Sequence, residues 1–191
     1  MTKGRLEAFS DGVLAIIITI MVLEFEIPHE ASLSALAPLT AKFLSYVLSF
    51  VFLGIYWNNH HHLWQIVKGV NGSILWANLH LLFWLSLIPF VTGWMGENNF
   101  ATIPVAFYGT ILWLSALAYY IMVRTLMAHH GKDSHLAAAI GKDVKGLWSL
   151  YLYTAAVPLA FVSPMIALAL YVAVAIMWLV PDRRIENELV K

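Results

Sequence analysis

The sequence predicts an all-α integral membrane protein with six transmembrane helices in a single domain. Of its 191 residues, 61% are hydrophobic and only 12% are charged, whereas a soluble domain carries roughly 25% charged residues. Six apolar stretches, bounded by charge, proline or glycine, approach the length needed to cross a bilayer. They cover residues 5–25, 39–67, 73–95, 102–124, 147–162 and 165–180.

The six stretches differ in how clearly each predicts one span. The first follows a basic start without the small-residue cleavage site of a signal peptide, so we expect it to be retained. The next three each contain 20 or more residues, enough for one span. The last two are short and are separated by Ser163 and Pro164, so a tight hairpin is an alternative. The polar segment 127–146 is expected to be a loop with a short helical piece at 136–140.

The basic residues predict that both termini are cytoplasmic, because lysine and arginine accumulate in cytoplasmic loops. With six spans, Lys42 is the one basic residue placed outside. The inner side then holds Lys3, Arg5, Lys68, Arg124, Lys132, Lys142, Lys145, Arg183, Arg184 and Lys191. This topology, the compact chain and the absence of an organelle-targeting segment together predict a multi-pass protein of an inner cell membrane. A net charge of zero gives no indication of a nucleic-acid partner.

Polar side chains interrupt three of the predicted helices, where each is costly unless it is paired or hydrated. At 1.5 Å per residue, Asp11, His61 and His80 lie at one depth, roughly 9 to 10 Å from the inner helix ends. We expect an interhelical hydrogen-bond network in which Asp11 accepts from helices two and three. The polar residues are Ser10 and Asp11, then Trp57, Asn58, Asn59, His60, His61, His62 and Trp64, then Asn78 and His80.

Several interpretations of this network are open from the residues alone. It can be purely structural, or histidine protonation can set the conducting state between about pH 5 and 8. Histidines of helices two and three could ligate a haem or a metal ion, although we expect no cofactor. The network could also be the proton relay of a coupled secondary transporter. An enzyme is not expected, because there is no cysteine and no motif of a metalloprotease, serine nucleophile or phosphate loop.

Helix one has two faces. At 100° per residue, Ser10 and Asp11 lie opposite an arc about 100° wide. Periodicity does not decide which face points inward, because the helix is apolar almost all round. A lone threonine such as Thr19 is in itself typical of a hydroxyl bonded to its own backbone. The arc consists of Arg5, Phe9, Gly12, Ile16, Thr19, Ile20 and Leu23.

The residues Arg5, Phe9, Ser10 and Asp11 resemble the signature that opens the first helix of the transmembrane protein 175 family of potassium channels. Residues 57–65 and 78–89, the span count and the chain length are similar to that family as well. The resemblance implies a prokaryotic member that assembles as a homotetramer around a pore lined by helix one. It also implies that the signature serine and aspartate brace this helix against helices two and three.

The same resemblance implies that bulky aliphatic side chains of helix one form the constriction. Carried over by position, these are Ile16, Ile20 and Leu23, with a hydroxyl ring from Thr19 between them. The carbonyl filter of ordinary potassium channels does not occur in the sequence.

From these features we expect a leak-type cation channel with a modest preference for potassium over sodium. A closed aliphatic ring offers no ion ligand and blocks by dewetting, so conduction requires widening. Glu24 and Glu26 at the outer end either concentrate cations at the mouth or are simply solvated. The expected partners are potassium and other monovalent cations, further copies of the chain and bilayer lipid.

Overall fold

A computed structural model, which describes residues 2–131, 136 and 143–179, shows a chain built from α-helices. A 3-10 helix at Leu33–Leu39 precedes the second of them. The α-helices within the described residues are α1 (Lys3–Leu23), α2 (Thr40–Ile66), α3 (Gly72–Ser86), α4 (Ile88–Glu97), α5 (Thr102–His130), α6 (Val144–Leu159) and α7 (Pro164–Leu179). The all-α class is therefore confirmed.

Four segments of the described chain are long and apolar enough to cross a membrane. Because α3 and α4 form one of them, the seven α-helices named above amount to six helical segments. The segment of α7 is apolar but shorter, and α6 has 16 residues. The four long segments are Lys3–Leu23, Leu33–Ile66, Gly72–Glu97 and Thr102–His130.

The third helix, predicted as continuous over residues 73–95, is interrupted at Leu87. Pro89 has no backbone N–H, so the carbonyl of Leu85 loses its normal helical partner. The chain turns there, and the Leu87 N–H donates to the Trp84 carbonyl over 3.2 Å. The helix therefore restarts at Ile88, one residue before the proline.

The fourth predicted helix is longer than expected, because α5 continues beyond Arg124 to His130. Its last turns remain amphipathic, with Leu126 buried. The helix stops at Gly131, whose φ of +84° is readily adopted by glycine. Parts of two predictions lie outside the described residues: the helical piece at 136–140 apart from Leu136, and the end of the last helix at 180. So do Lys132, Lys142, Arg183, Arg184 and Lys191.

Helix α5 lies at the centre of the fold and packs against α3, α4, α6 and α7, while α1 packs against α2, α3 and α4. Polar contacts between side chains join the helices inside the bundle. Ser49 Oγ of α2 lies 2.6 Å from Thr92 Oγ1 of α4 and 2.9 Å from the Tyr108 hydroxyl of α5. These contacts fix the bundle against which α1 is placed.

Candidate functional site: the first helix and its polar contacts

One face of α1 is buried within the subunit and the opposite face is exposed. The exposed fractions are 59% for Ile16, 41% for Ile20 and 78% for Leu23. Phe9 and Thr19 lie on the same exposed side. The arc of α1 defined by helical periodicity is therefore not covered by the other helices of the same chain. The buried residues of α1 are Leu6, Ser10, Leu14, Ile17 and Met21.

The hydroxyl of Thr19 is bonded to the backbone of its own helix. Its Oγ1 donates to the carbonyls of Ala15 at 2.9 Å and Ile16 at 3.0 Å. A hydroxyl has one proton and two lone pairs. The oxygen of Thr19 therefore remains able to contact a cation while its proton stays bonded to the backbone.

A buried chain of hydrogen-bonding side chains joins α1, α3 and α2. Ser10 Oγ donates to the Leu6 carbonyl and accepts from Asn78 Nδ2, each over 2.9 Å. Asn78 Oδ1 lies 2.8 Å from His60 Nε2, to which Trp64 Nε1 donates over 2.7 Å. All four of these side chains are at most 1% exposed. We call Ser10, Asn78, His60 and Trp64 the buried brace.

A second, less buried set of contacts joins the same end of α1 to α2. Asp11 Oδ1 accepts from Trp57 Nε1 over 3.2 Å, and the Trp57 ring stacks on His61 at 5.9 Å. His61 Nδ1 lies 3.3 Å from Glu7 Oε1. Asp11 thus receives the expected bond from helix two. The bond expected from helix three goes instead to the neighbouring residue, Ser10.

His80 does not join the buried brace, although it lies at the predicted depth. His80 is two positions after Asn78 in the sequence, so its side chain points about 200° away from that of Asn78 around α3. It is exposed, and its Nε2 accepts from Trp84 of the same helix over 2.9 Å. Matched depth was therefore insufficient, because direction around the helix decides which residues meet.

The histidine environments bear on the metal and haem interpretations. The part of the chain that the structure describes contains no group of three histidine, cysteine or acidic side chains placed to hold a metal ion. His60 is 1% exposed, so its surroundings leave no room for a haem macrocycle beside it. His60 Nε2 already contacts Asn78 and Trp64, and His80 Nε2 already accepts from Trp84.

The C-terminal end of α1 lies beside a cluster of charges, of which the sequence predicted only a part. Glu24 and Glu26 follow the helix, and both are exposed. Lys42 Nζ lies 3.9 Å from Glu26 Oε1 and 3.3 Å from Glu97 Oε1. The pairing with Glu97 was missed, although both residues lie in predicted outer segments. Lys42 therefore offsets part of the negative charge at this end.

The exposed face of α1 also forms one wall of an open groove of about 580 Å³. Ile16 and Ile20 line this wall, and Phe90 and Trp94 of α4 line the other. The groove is therefore mainly apolar in one copy of the chain. Glu24 and Glu97 line the groove near the C-terminal end of α1.

The apolar helices, the exposed face of α1 and the polar contacts behind it define a multi-pass α-helical membrane protein of channel type. Residues 5–89 match the family described as endosomal/lysosomal potassium channel TMEM175. A protein of Chryseobacterium sp. named as a potassium channel is 55% identical over 189 residues, which cover 99% of this chain and 98% of that protein. The chain belongs to the TMEM175 family, is a potassium channel and is not an enzyme.

A solved structure and an animal relative extend this comparison. The crystal structure of a lysosomal potassium-selective channel TMEM175 homolog from Chamaesiphon minutus matches with a TM-score of 0.81 and 29% sequence identity. The match covers 94% of this chain and 97% of that one. The human protein named endosomal/lysosomal proton channel TMEM175 is 28% identical over 183 residues, covering 85% of this chain but 36% of that protein. The family resemblance carried by Arg5, Phe9, Ser10 and Asp11 is confirmed.

Proposed function

We propose that four copies of the chain surround one central pore, lined by the exposed face of α1, that conducts potassium with a modest preference over sodium. Each copy contributes one six-helix domain comprising residues 1–191. The observation that carries this proposal is the exposure of Ile16 and Leu23, at 59% and 78%, on a helix whose opposite face is buried. A membrane helix so exposed needs either lipid or other copies to cover it.

The pore derives its selectivity from hydration rather than from a carbonyl filter. Rings of Ile16, Ile20 and Leu23 offer no ligand, so a narrow ring excludes water and ions alike. When the ring widens, the ion that sheds water more readily passes first, which favours potassium over sodium. The lone pairs of the Thr19 oxygens can replace part of the lost hydration. Conduction is therefore passive, with no coupling to a second ion.

The polar contacts behind α1 hold the pore-lining face in position. The buried brace ties α1 to α2 and α3 through Ser10, and the contact of Asp11 with Trp57 ties it to α2 again. Arg5 and Phe9 belong to the same signature on the exposed side. His61 and Glu7 add a third contact between α1 and α2. Ser10, Asp11, Glu7 and their partners on α2 and α3 act through the position of α1 and do not touch the ion.

The outer mouth and the orientation follow from the charges. Glu24 and Glu26 lie at one end of α1 and raise the local concentration of cations. The side of the bundle opposite Glu24 and Glu26 contains the start of α1, with Lys3 and Arg5, and the end of α2, followed by Lys68. Because basic residues accumulate on the cytoplasmic side, this side faces the cytoplasm. Both termini are then cytoplasmic, in a bacterial inner membrane.

The test is potassium and sodium flux into liposomes that contain the purified protein. Ile16→Ala, Thr19→Ala and Leu23→Ala are expected to change the rate or the potassium-to-sodium ratio severalfold, because each alters the constriction. The matched control is Ile176→Ala on α7, since Ile176 is 60% exposed and Ile16 is 59% exposed in one copy. Equal effects of the two isoleucine substitutions, or no effect of either, would contradict a pore lined by α1.

Two further measurements distinguish this proposal from the alternative functions. The mass of the purified assembly should be four times the 21.4 kDa of one chain. Proton flux is measured in parallel, because the animal relatives are named proton channels. Saturable flux that requires a proton gradient and responds only to Asp11 and the histidines would instead support a proton-coupled secondary transporter.

A further inference from the structure

A groove of about 570 Å³ runs along the last turns of α5, beside the start of α3. Its α5 wall is one continuous helix face, because the residues recur at spacings of three and four. At the α3 end, Asn71 accepts from the Ile74 N–H through Oδ1 at 3.0 Å, and its Nδ2 donates to His129 Nδ1 over 3.1 Å. The lining includes Asn71, Tyr120, Ile121, Arg124, Ala128 and His129.

The polarity of the groove changes along the direction of α5. Tyr120 and Ile121 lie at its deeper end, and Ile121 is exposed. Arg124, Asn71 and His129 lie toward the end of the helix. At 1.5 Å per residue, Ile121 is roughly 13 Å from the helix end at His130, and Arg124 is roughly 9 Å from it. A phospholipid has the same order, with apolar chains toward the bilayer centre and a charged headgroup at the surface.

Arg124 has no carboxylate partner among the described residues, whose ion pairs involve Lys42 and His61. Its guanidinium carbon lies 5.9 Å from the centroid of the Tyr120 ring, which holds it at the groove. An unpaired arginine in a membrane helix is costly. A phosphate group is the natural counter-ion, because the guanidinium can donate two parallel hydrogen bonds to its oxygens.

We propose that this groove binds one anionic phospholipid, with the phosphate on Arg124 and an acyl chain along Tyr120 and Ile121. Basic pockets between transmembrane helices bind anionic headgroups in this way. Among the described residues that line the groove, none is acidic, so no negative charge there attracts the positively charged group of a zwitterionic headgroup. The site therefore favours a lipid with net negative charge.

The test is lipid binding to the full purified chain in detergent, measured by native mass spectrometry and by the shift in melting temperature. Phosphatidylglycerol and phosphatidylcholine with identical acyl chains are the two probes. We expect the protein to bind phosphatidylglycerol about fivefold more tightly, and Arg124→Gln to remove this preference. Arg124→Lys should retain part of it, because the charge remains but the two-pronged hydrogen bonding is lost.

Two control variants keep the proposal testable. Lys3→Gln removes a basic residue from the start of α1, away from the groove, and should leave the lipid preference unchanged. Ala128→Phe keeps Arg124 and fills the groove, so it should lower the number of retained phosphatidylglycerol molecules by one per chain. This second variant distinguishes loss of the site from a folding defect of Arg124→Gln.

Four outcomes would overturn the proposal. Equal binding of the two lipids by the unaltered protein would remove the preference on which it depends. An equal loss in Lys3→Gln and Arg124→Gln would indicate diffuse attraction to surface charge. No change in Ala128→Phe would place the lipid elsewhere. Displacement of the lipid by millimolar inorganic phosphate would indicate a soluble anion as the ligand. None of these measurements depends on ion conduction.

Discussion

Replacing Asn78 by leucine tests whether the buried brace holds α1 in place. The two side chains have the same number of heavy atoms, but leucine cannot hydrogen-bond. The substitution removes the 2.9 Å bond to Ser10 and the 2.8 Å contact with His60. Ser10 still donates to the Leu6 carbonyl, and His60 still accepts from Trp64. The loss is therefore confined to the link between helices, with no abandoned donor.

The magnitude follows from the lost hydrogen bond to Ser10, because His60 Nε2 accepts from Trp64 Nε1 and so has no proton to donate to Asn78 Oδ1. Side-chain hydrogen bonds between membrane helices contribute about 0.6 kcal/mol on average and about 1.7 kcal/mol at most. Asn78→Leu should therefore lower the free energy of unfolding by about 0.6 to 1.7 kcal/mol. The burial of Asn78, at 0% exposure, places the value toward the upper part of this range, because water cannot replace the lost partners.

The assay is reversible unfolding in mixed micelles, followed by tryptophan fluorescence, together with potassium flux from the same preparation. The matched control is Asn59→Leu, because the Asn59 side chain bonds only the Ile55 carbonyl of its own helix among described residues. This control should change the free energy of unfolding by less than about 0.5 kcal/mol. If Asn78→Leu and Asn59→Leu were equally stable, the brace would not hold α1 and the reasoning would be refuted.

Three further predictions concern helix packing and the outer charges. Gly96→Ala should lower the melting temperature, because the added Cβ would lie 2.8 Å from Lys42 Cα. Gly54→Ala is the control: its added Cβ would have no neighbouring atom within 4 Å, so the higher helix propensity of alanine should raise the melting temperature. Glu24→Gln combined with Glu26→Gln should reduce potassium conductance at 10 mM salt and not at 1 M, where the Debye length is about 3 Å. Lys42→Met should raise conductance at 10 mM salt, because it frees the negative charge of its partners. If each of these charge variants had the same conductance as the unaltered protein at 10 mM and at 1 M salt, Glu24, Glu26 and Lys42 would have no effect on conduction.

The fold class and the helix count could be predicted because both depend on local properties. The length of each apolar stretch and the scarcity of charge already require helices in a membrane. The interruption at Leu87 is also local, since Pro89 removes a backbone donor, but it was missed because the apolar run continues across it. The extension of α5 to His130 was missed because the prediction ended the helix at the first charge, Arg124, rather than at Gly131.

The candidate site could be predicted only in part. Periodicity separated the two faces of α1, and the family resemblance named Ser10 and Asp11 as the bracing residues. Depth alone grouped Asp11, His61 and His80. In the structure Trp57 contacts both Asp11 and His61, whereas His80 contacts Trp84 of its own helix. The partners of Asp11 and Ser10 also depend on how α2 and α3 rotate about their axes, which nothing in the apolar sequence indicates.

The sequence by itself determined that this protein is a membrane bundle and which residues share a face of α1, because composition and helical periodicity are properties of single segments. The tertiary structure decided which face of α1 packs inward, which periodicity could not, and it alone showed that Lys42 pairs with Glu97 and that Arg124 lines a groove beside α3. These outcomes depend on the packing of one helix against another. Helices that are apolar all round can be rotated with little change in burial, so specific side-chain contacts decide their orientation.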